Sequence, residues 1–195
     1  PLDDEPTYAL VRSAHTLGCF QIESPGQREL VGKFAPETFD DLITDISLFR
    51  PGPVKSDMVT PYLDAKQGWK EATYLHDDLR PILAETQGVV VFHEQVIEII
   101  AQLTGISNAA ADEKRRALGD REGMAETKAW FFPRALGRRY PLPVVERVWK
   151  VLEAFAFTMI VGIISGTYST VFIAAAIAII LSRKRDQARV PATPA

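Results

Sequence analysis

Three consecutive basic residues are the part of this sequence whose types and spacing could do chemistry. Lys114, Arg115 and Arg116 lie in a predicted helix. Neighbouring side chains on a helix diverge by about 100°, so Arg115 and Arg116 can bind different oxygens of one polyphosphate. Guanidinium groups match the geometry of phosphate well. The alternative is a solvated helix face with Asp112 and Glu113 as ion-pair partners, and charge alone favours that alternative.

Further basic residues follow in the same part of the chain. Residues 114–150 contain 10 Lys and Arg against 4 Asp and Glu, whereas residues 1–113 contain 8 against 19. The net charge of −3 therefore hides a basic region that follows an acidic one. Such a region could track a nucleic-acid backbone. The arginines that would contribute are Arg121, Arg134, Arg138 and Arg139.

No catalytic or metal-binding signature accompanies these cations. His93-Glu94 begins like a zinc-protease helix, but Ile97 stands where the second histidine is required. The histidines are too scattered to form a ligand set, and there is no P-loop or nucleophile elbow. The single cysteine, Cys19, excludes a disulfide framework and is expected to pack. The sequence therefore predicts no catalytic residue and no metal site in this chain.

Capping signals and apolar spacing predict the helices that lead to these residues. Ser24 caps a helix that runs to about Lys33. A second helix ends at the turn Arg50-Pro51-Gly52-Pro53, because two prolines and a glycine cannot continue the hydrogen-bond ladder. That helix is expected to bury the face formed by Phe39, Leu42, Ile43 and Ile46.

A short strand and four helices are predicted beyond this turn. The β-branched run Val89–Phe92 indicates a buried strand. Gly105 ends the helix that follows, and Ser107 or Asn108 caps the helix that carries the two arginines. The predicted helices cover residues 96–103, 109–118, 122–132 and 143–154.

A long uncharged segment follows this helical region. The run Ala154–Ser182 contains 29 residues and no charged side chain. Roughly 20 apolar residues suffice to cross a bilayer as a helix, so we expect a transmembrane helix over 154–182 and a basic, disordered tail over 183–195. A buried core helix is the alternative. The expected fold class is mainly α with a few short strands plus this C-terminal transmembrane helix.

Four motifs in order resemble the bacterial DNA polymerase III alpha subunit, a C-family replicative polymerase. They are Leu17–Ser24, Leu48–Pro53, Val91–Val96 and Ala111–Gly119. The resemblance covers about residues 1–155 and corresponds to the fingers region, which follows the palm. It implies that residues 1–153 are a fingers-like fragment of a DNA-directed DNA polymerase and act in DNA replication.

The resemblance also implies roles and partners. Arg115 and Arg116 would bind the triphosphate of the incoming deoxynucleotide, and Arg50 would help to position the active site. DNA, deoxynucleoside triphosphates and other polymerase III subunits are the partners of the parent protein, in the cytoplasm. Its Mg²⁺ ions are held by palm aspartates upstream of what corresponds to Pro1. This chain is therefore expected to bind no cofactor itself and to be inactive alone.

A second resemblance begins near Phe155. The segment Phe155–Ala174 resembles the last transmembrane helix of SecF, a subunit of the protein-export translocase. It implies membrane association through 154–182, with translocase helices as further candidate partners. We therefore expect a composite of a polymerase fingers region and a SecF-like helix. The alternatives are a fragment of a membrane-embedded translocation subunit and a non-functional composite reading frame.

Overall fold

The computed structural model describes residues 2–49 and 58–157, and the regular structure within these ranges is helical. A 3₁₀ turn at Asp77–Leu79 leads directly into the fifth helix. The predicted mainly helical character is confirmed. In chain order the helices are α1 (Glu5–Arg12), α2 (Pro25–Phe34), α3 (Phe39–Leu48), α4 (Val59–Lys66), α5 (Arg80–Leu83), α6 (His93–Thr104), α7 (Asn108–Ala117), α8 (Arg121–Gly137) and α9 (residues 142–157).

Local capping signals set the ends of several helices, as the sequence predicts. Ser24 Oγ accepts the backbone N–H of Gln27 at 3.3 Å and begins α2. Ser107 Oγ accepts the N–H of Ala110 at 3.4 Å and begins α7. Gly105 ends α6 with a φ of 73°, a left-handed conformation that glycine adopts at little cost. The chain therefore leaves α6 and enters α7 within a few residues.

The strand predicted for Val89–Phe92 is wrong, and no β-strand occurs in residues 2–49 and 58–157. The side-chain oxygen of Gln95 accepts the backbone N–H groups of Val91 at 2.8 Å and of Phe92 at 3.0 Å. The Gln95 amide donates in turn to the hydroxyl of Thr86 at 2.7 Å. A side chain of α6 thus satisfies the donors that a neighbouring strand would otherwise have paired.

The expected C-terminal transmembrane helix also needs correction. Within the described ranges, no helix is long and apolar enough to cross a membrane. Helix α9 includes the first residues of the predicted span, but one face packs into the core and the other carries charges. Residues 158–182 of that span, the tail 183–195 and Arg50 lie outside the described residues. The exposed charged residues of α9 are Glu146, Arg147, Lys150 and Glu153.

Two apolar clusters hold the helices together. In the larger one, Phe131 of α8 and Trp149 of α9 are almost completely buried, with ring centroids 5.8 Å apart. The buried face of α6 packs in the same cluster, and it consists of Val96, Ile99, Ile100 and Leu103. The smaller cluster joins α2, α3 and α4 through Phe34, Leu48 and Tyr62, and Val91 from the segment before α6 packs with them.

Helix α3 is present, but it buries a different face from the one predicted. Phe39 and Ile43 are 46% and 41% exposed, whereas Asp45 and Leu48 are fully buried. The carboxyl of Asp45 accepts a hydrogen bond from the buried amide of Gln27 on α2. The interface between α2 and α3 therefore contains a polar pair that the apolar spacing of α3 did not indicate.

Candidate functional site

Helix α7 carries the two predicted phosphate-binding arginines and is packed on both sides. It contacts α6 and α8. Its residue Ala111 is fully buried, and Leu118 at its end is 2% exposed. The start of α8 approaches it so closely that a Cβ on Gly123 would lie 2.3 Å from the carbonyl oxygen of Ala117. The helix end that carries the arginines is thus fixed against the start of α8.

Arg115 and Arg116 converge on one carboxylate. Nε and Nη2 of Arg115 lie 2.9 and 2.7 Å from Oδ1 of Asp112. Nη2 of Arg116 lies 2.6 Å from Oδ2 of the same side chain. Asp112 precedes the arginines by three and four residues, the spacing that brings side chains together on a helix. The structure therefore places both guanidinium groups on the same side of α7.

The two arginines differ in their access to solvent. The side chain of Arg115 is 16% exposed and that of Arg116 is 71% exposed, with Asp112 between them at 24%. Hydrogen bonding from Arg115 lowers the pKa of the Asp112 carboxyl below its ordinary value of 3.8. Ion pairing with Asp112 is confirmed, whereas Glu113 is exposed and forms no ion pair with either arginine within the described residues.

Lys114 and Arg134 both lie over the ring of Trp130, and we call this group the Trp130 stack. Lys114 Nζ lies 5.0 Å from the ring centroid of Trp130 on α8, and the guanidinium carbon of Arg134 lies 4.8 Å from it. The indole is half-buried. An aromatic ring attracts cations over its faces, so Trp130 holds two positive charges close together. Trp130 was not among the predicted site residues, although its spacing of four from Arg134 is a recognisable signal.

The other predicted basic residues are dispersed. Arg121 is exposed at the start of α8, and Arg139 is exposed after its end. Arg138 lies over Gly105, where an added Cβ would be 2.5 Å from its Nη1. Among the described residues, these three arginines do not join the Trp130 stack.

The described residues offer no group of three or more His, Cys, Asp or Glu side chains that could hold a metal ion. His76 contacts the ring of Tyr140 edge-on, with centroids 5.0 Å apart. His93 contacts Phe155 in the same manner at 5.4 Å. Cys19 is half-buried. The described part of the chain thus does not fit the carboxylate ligand set that a pair of Mg²⁺ ions requires.

Comparison with known proteins decides the family. Residues 1–138 match the family described as the bacterial DNA polymerase III alpha subunit finger domain. The chain belongs to this family. The DNA polymerase III subunit alpha of Aquifex aeolicus is 39% identical over 158 residues, which are 80% of this chain and 14% of that protein. The error-prone DNA polymerase of Symbiobacterium thermophilum is 36% identical over 159 residues, 80% of this chain and 15% of that protein.

The polymerase III resemblance predicted from the four motifs is therefore confirmed. The DNA polymerase III subunit alpha of Escherichia coli is 34% identical over 163 residues, again 80% of this chain and 14% of the relative. The chain thus spans 14 to 15% of the length of these polymerases.

A second match covers the end of the chain. Residues 142–184 match the family described as protein export membrane protein SecD/SecF, C-terminal. The match begins within the part of the chain that forms α9, whose described residues pack into the main core. The described residues give no support for a membrane or for translocase helices as partners.

Proposed function

We propose that residues 1–153 are a finger-region fragment of a bacterial DNA polymerase III alpha subunit and serve DNA replication by binding the incoming nucleotide. The proposed ligands are deoxynucleoside triphosphates and DNA. Other polymerase III subunits are the proposed protein partners, and the cytoplasm is the proposed location. Family membership over residues 1–138 supports this proposal.

The convergence of Arg115 and Arg116 is the observation that carries the nucleotide-binding role. Three nitrogen atoms from two guanidinium groups already contact one anion, the Asp112 carboxylate, two of them through hydrogen bonds. A phosphate group presents oxygens with similar charge and reach, so the same donors suit it. Arg115 and Arg116 would bind the triphosphate and offset its charge as pyrophosphate leaves. We also propose that Arg50 positions the active site in the intact polymerase.

We assign no catalytic step to this chain. The described residues do not fit a pair of Mg²⁺ ions, and the chain spans about one seventh of the relatives' length. The metal-dependent chemistry of the parent polymerase therefore depends on residues that the described ranges do not supply. Purified chain is expected not to extend a primer on a template, and measurable extension would contradict this assignment.

A binding experiment tests the nucleotide role. Calorimetric titration of the full chain with a deoxynucleoside triphosphate measures the affinity of the wild type and of the double variant Arg115→Ala, Arg116→Ala. Because hydrogen bonds to charged groups contribute about 1.5–3 kcal/mol each, the double variant should bind at least roughly tenfold more weakly. Arg80→Ala is the matched control, because Arg80 is also an exposed arginine, stacked on Tyr74 at 4.5 Å and distant in sequence. An unchanged titration of the double variant would refute the role.

The Trp130 stack supports the proposed contact with DNA. Lys114 and Arg134 present two cations on one ring, a combination that suits a phosphate backbone and exposed bases. Fluorescence anisotropy with a labelled primer–template duplex at several salt concentrations tests this contact. The double variant Lys114→Ala, Arg134→Ala should bind the duplex more weakly. The slope of the logarithm of its binding constant against the logarithm of the salt concentration should be smaller in magnitude by about one to two. Arg80→Ala should leave the slope unchanged, and equal slopes for all three proteins would exclude the contact.

The two family matches favour a composite origin of the reading frame. One match ends at residue 138 and the other covers residues 142–184. We propose that a polymerase-derived region over 1–153 is joined near Phe155 to a segment derived from the SecD/SecF family. Long-read sequencing of the locus tests this origin, and an uninterrupted native gene with the same junction would refute it.

A further inference from the structure

The anion that already lies between the two arginines belongs to the chain itself. Oδ1 of Asp112 accepts a hydrogen bond from Nε of Arg115 and lies 2.7 Å from Nη2 of the same side chain, and Oδ2 accepts from Nη2 of Arg116. These are the N–H groups that a phosphate would use. Carboxylate and triphosphate therefore compete for the same donors.

We propose that Asp112 is a displaceable counter-ion that occupies the phosphate position between Arg115 and Arg116 until a triphosphate replaces it. This inference rests on the proposed nucleotide-binding function and adds a specific regulatory residue to that site. Asp112 keeps both guanidinium groups on one side of α7, although adjacent helical residues otherwise diverge by about 100°. Binding of an incoming polyphosphate must also be more favourable than the ion pairs of Asp112 with the two arginines, which it replaces.

Differences in exposure give the order of exchange. Arg116 is 71% exposed and offers further N–H groups to solvent while it contacts Asp112, so it makes the first contact with a phosphate. Arg115 is 16% exposed, its Nε donates to Asp112, and its Nη2 forms the ion pair with the same oxygen. Its transfer from carboxylate to phosphate is therefore the second step. The α7 backbone need not move, because only side-chain partners are exchanged.

Removing the carboxylate charge tests the competition. The probe is inorganic tripolyphosphate, titrated calorimetrically into the full chain, and the variant is Asp112→Asn. Loss of two partly exposed ion pairs should tighten tripolyphosphate binding by roughly three- to tenfold. Asp112→Glu restores the charge and should return the affinity to within about twofold of wild type. If Asp112 had only a structural role, Asp112→Asn would not bind tripolyphosphate more tightly, and Asp112→Glu would not restore the wild-type affinity.

Glu113 provides the matched control. It is exposed on the same helix, next to Asp112 in sequence, and within the described residues it forms no ion pair with either arginine. Glu113→Gln removes the same charge and should change the affinity by about twofold or less. Equal effects of Asp112→Asn and Glu113→Gln would overturn the inference, because general charge would then explain both.

The outcomes separate this inference from the function on which it rests. If Arg115→Ala, Arg116→Ala binds tripolyphosphate as tightly as wild type, the proposed function fails. If that double variant loses binding while Asp112→Asn binds equally or more weakly, the function stands and the counter-ion inference is wrong. Circular dichroism of each variant checks that the total helical content equals that of the wild type.

Discussion

Replacing Asp45 with asparagine should remove a large pH dependence from the stability of this chain. Asp45 is fully buried on α3, and burial raises the pKa of its carboxyl from 3.8 to about 7, although the hydrogen bond from Gln27 opposes part of that rise. Oδ1 of Asp45 and Oε1 of Gln27 are both buried acceptors without a hydrogen-bond partner. A protonated carboxyl supplies the donor that these acceptors lack, so the neutral form suits this site.

The raised pKa determines the sign and the size of the effect. The folded chain keeps a proton on Asp45 that the unfolded chain releases above pH 3.8, so the free energy of unfolding falls as the pH rises from about 4 to about 7. The interval from 3.8 to about 7 corresponds to about 4 kcal/mol. Lys66 does not relieve this cost, because it pairs with Asp41 instead. Above pH 7 the contribution is lost completely.

Chemical denaturation followed by circular dichroism from about pH 4 to about pH 8 measures this difference. Near pH 4 the wild type and Asp45→Asn should have similar free energies of unfolding, because asparagine is neutral like the protonated carboxyl. Near pH 8 the variant should be more stable by up to about 4 kcal/mol. Asp40→Asn is the control on the same helix, since Asp40 is exposed, and it should keep the wild-type slope.

Parallel pH profiles for the wild type and Asp45→Asn would refute this reasoning. They would mean that the folded and unfolded chains hold the Asp45 proton equally, and hence that the α2–α3 interface is open to water. A variant that is less stable than the wild type at high pH would be equally incompatible with a buried neutral carboxyl.

Three further changes test the packing that supports the site. Gly88→Ala should destabilise the chain by about 2 kcal/mol or more, because φ is +86° and the new Cβ would lie 2.2 Å from the carbonyl oxygen of Thr73; an unchanged melting temperature would contradict this close approach. Trp149→Ala should lower the free energy of unfolding, measured by denaturant titration, by about 3–5 kcal/mol, and Trp149→Phe should lower it less. A small decrease for Trp149→Ala would mean that the core rearranges to fill the cavity. Asp120→Ala removes the 2.7 Å cap to the N–H of Gly123 and should cost about 1 kcal/mol, and a neutral result would show that water caps α8 equally well.

Helix positions were predictable where the signals are local. Ser24 and Ser107 cap helices as predicted, and Gly105 ends α6 in the left-handed conformation. Each signal operates over three or four residues, so the sequence alone contains it. The predicted end near Lys33 lies one residue from the observed end of α2 at Phe34.

The buried face of α3 was not predictable because it depends on a partner far away in sequence, whereas the strand prediction overlooked a partner only three to four residues away. Val89–Phe92 has the composition of a strand, yet its N–H groups at Val91 and Phe92 bond to the Gln95 side chain. The apolar spacing of α3 pointed to Phe39 and its neighbours as the buried face. Asp45 is buried there instead, since its partner Gln27 comes from another helix 18 positions earlier.

The candidate site was predictable in part. Residue types alone left two interpretations of Arg115 and Arg116 open, and the structure shows how Asp112 connects them. The spacing of Asp112 from both arginines is visible in the sequence, but the exposure of each guanidinium depends on packing. The position of Lys114 over Trp130 depends on how α7 and α8 meet, which no local pattern encodes.

Helix α9 determines how far this protein can be truncated at its C-terminal end before the core is exposed. A chain ending at residue 138, where the finger-family match stops, would retain both arginines but lose Trp149 and Leu152 from the main core. Phe131 and the apolar face of α6 would then be exposed to water, and an exposed hydrophobic patch of this kind promotes aggregation. A truncated form intended for purification should therefore include α9 through residue 157.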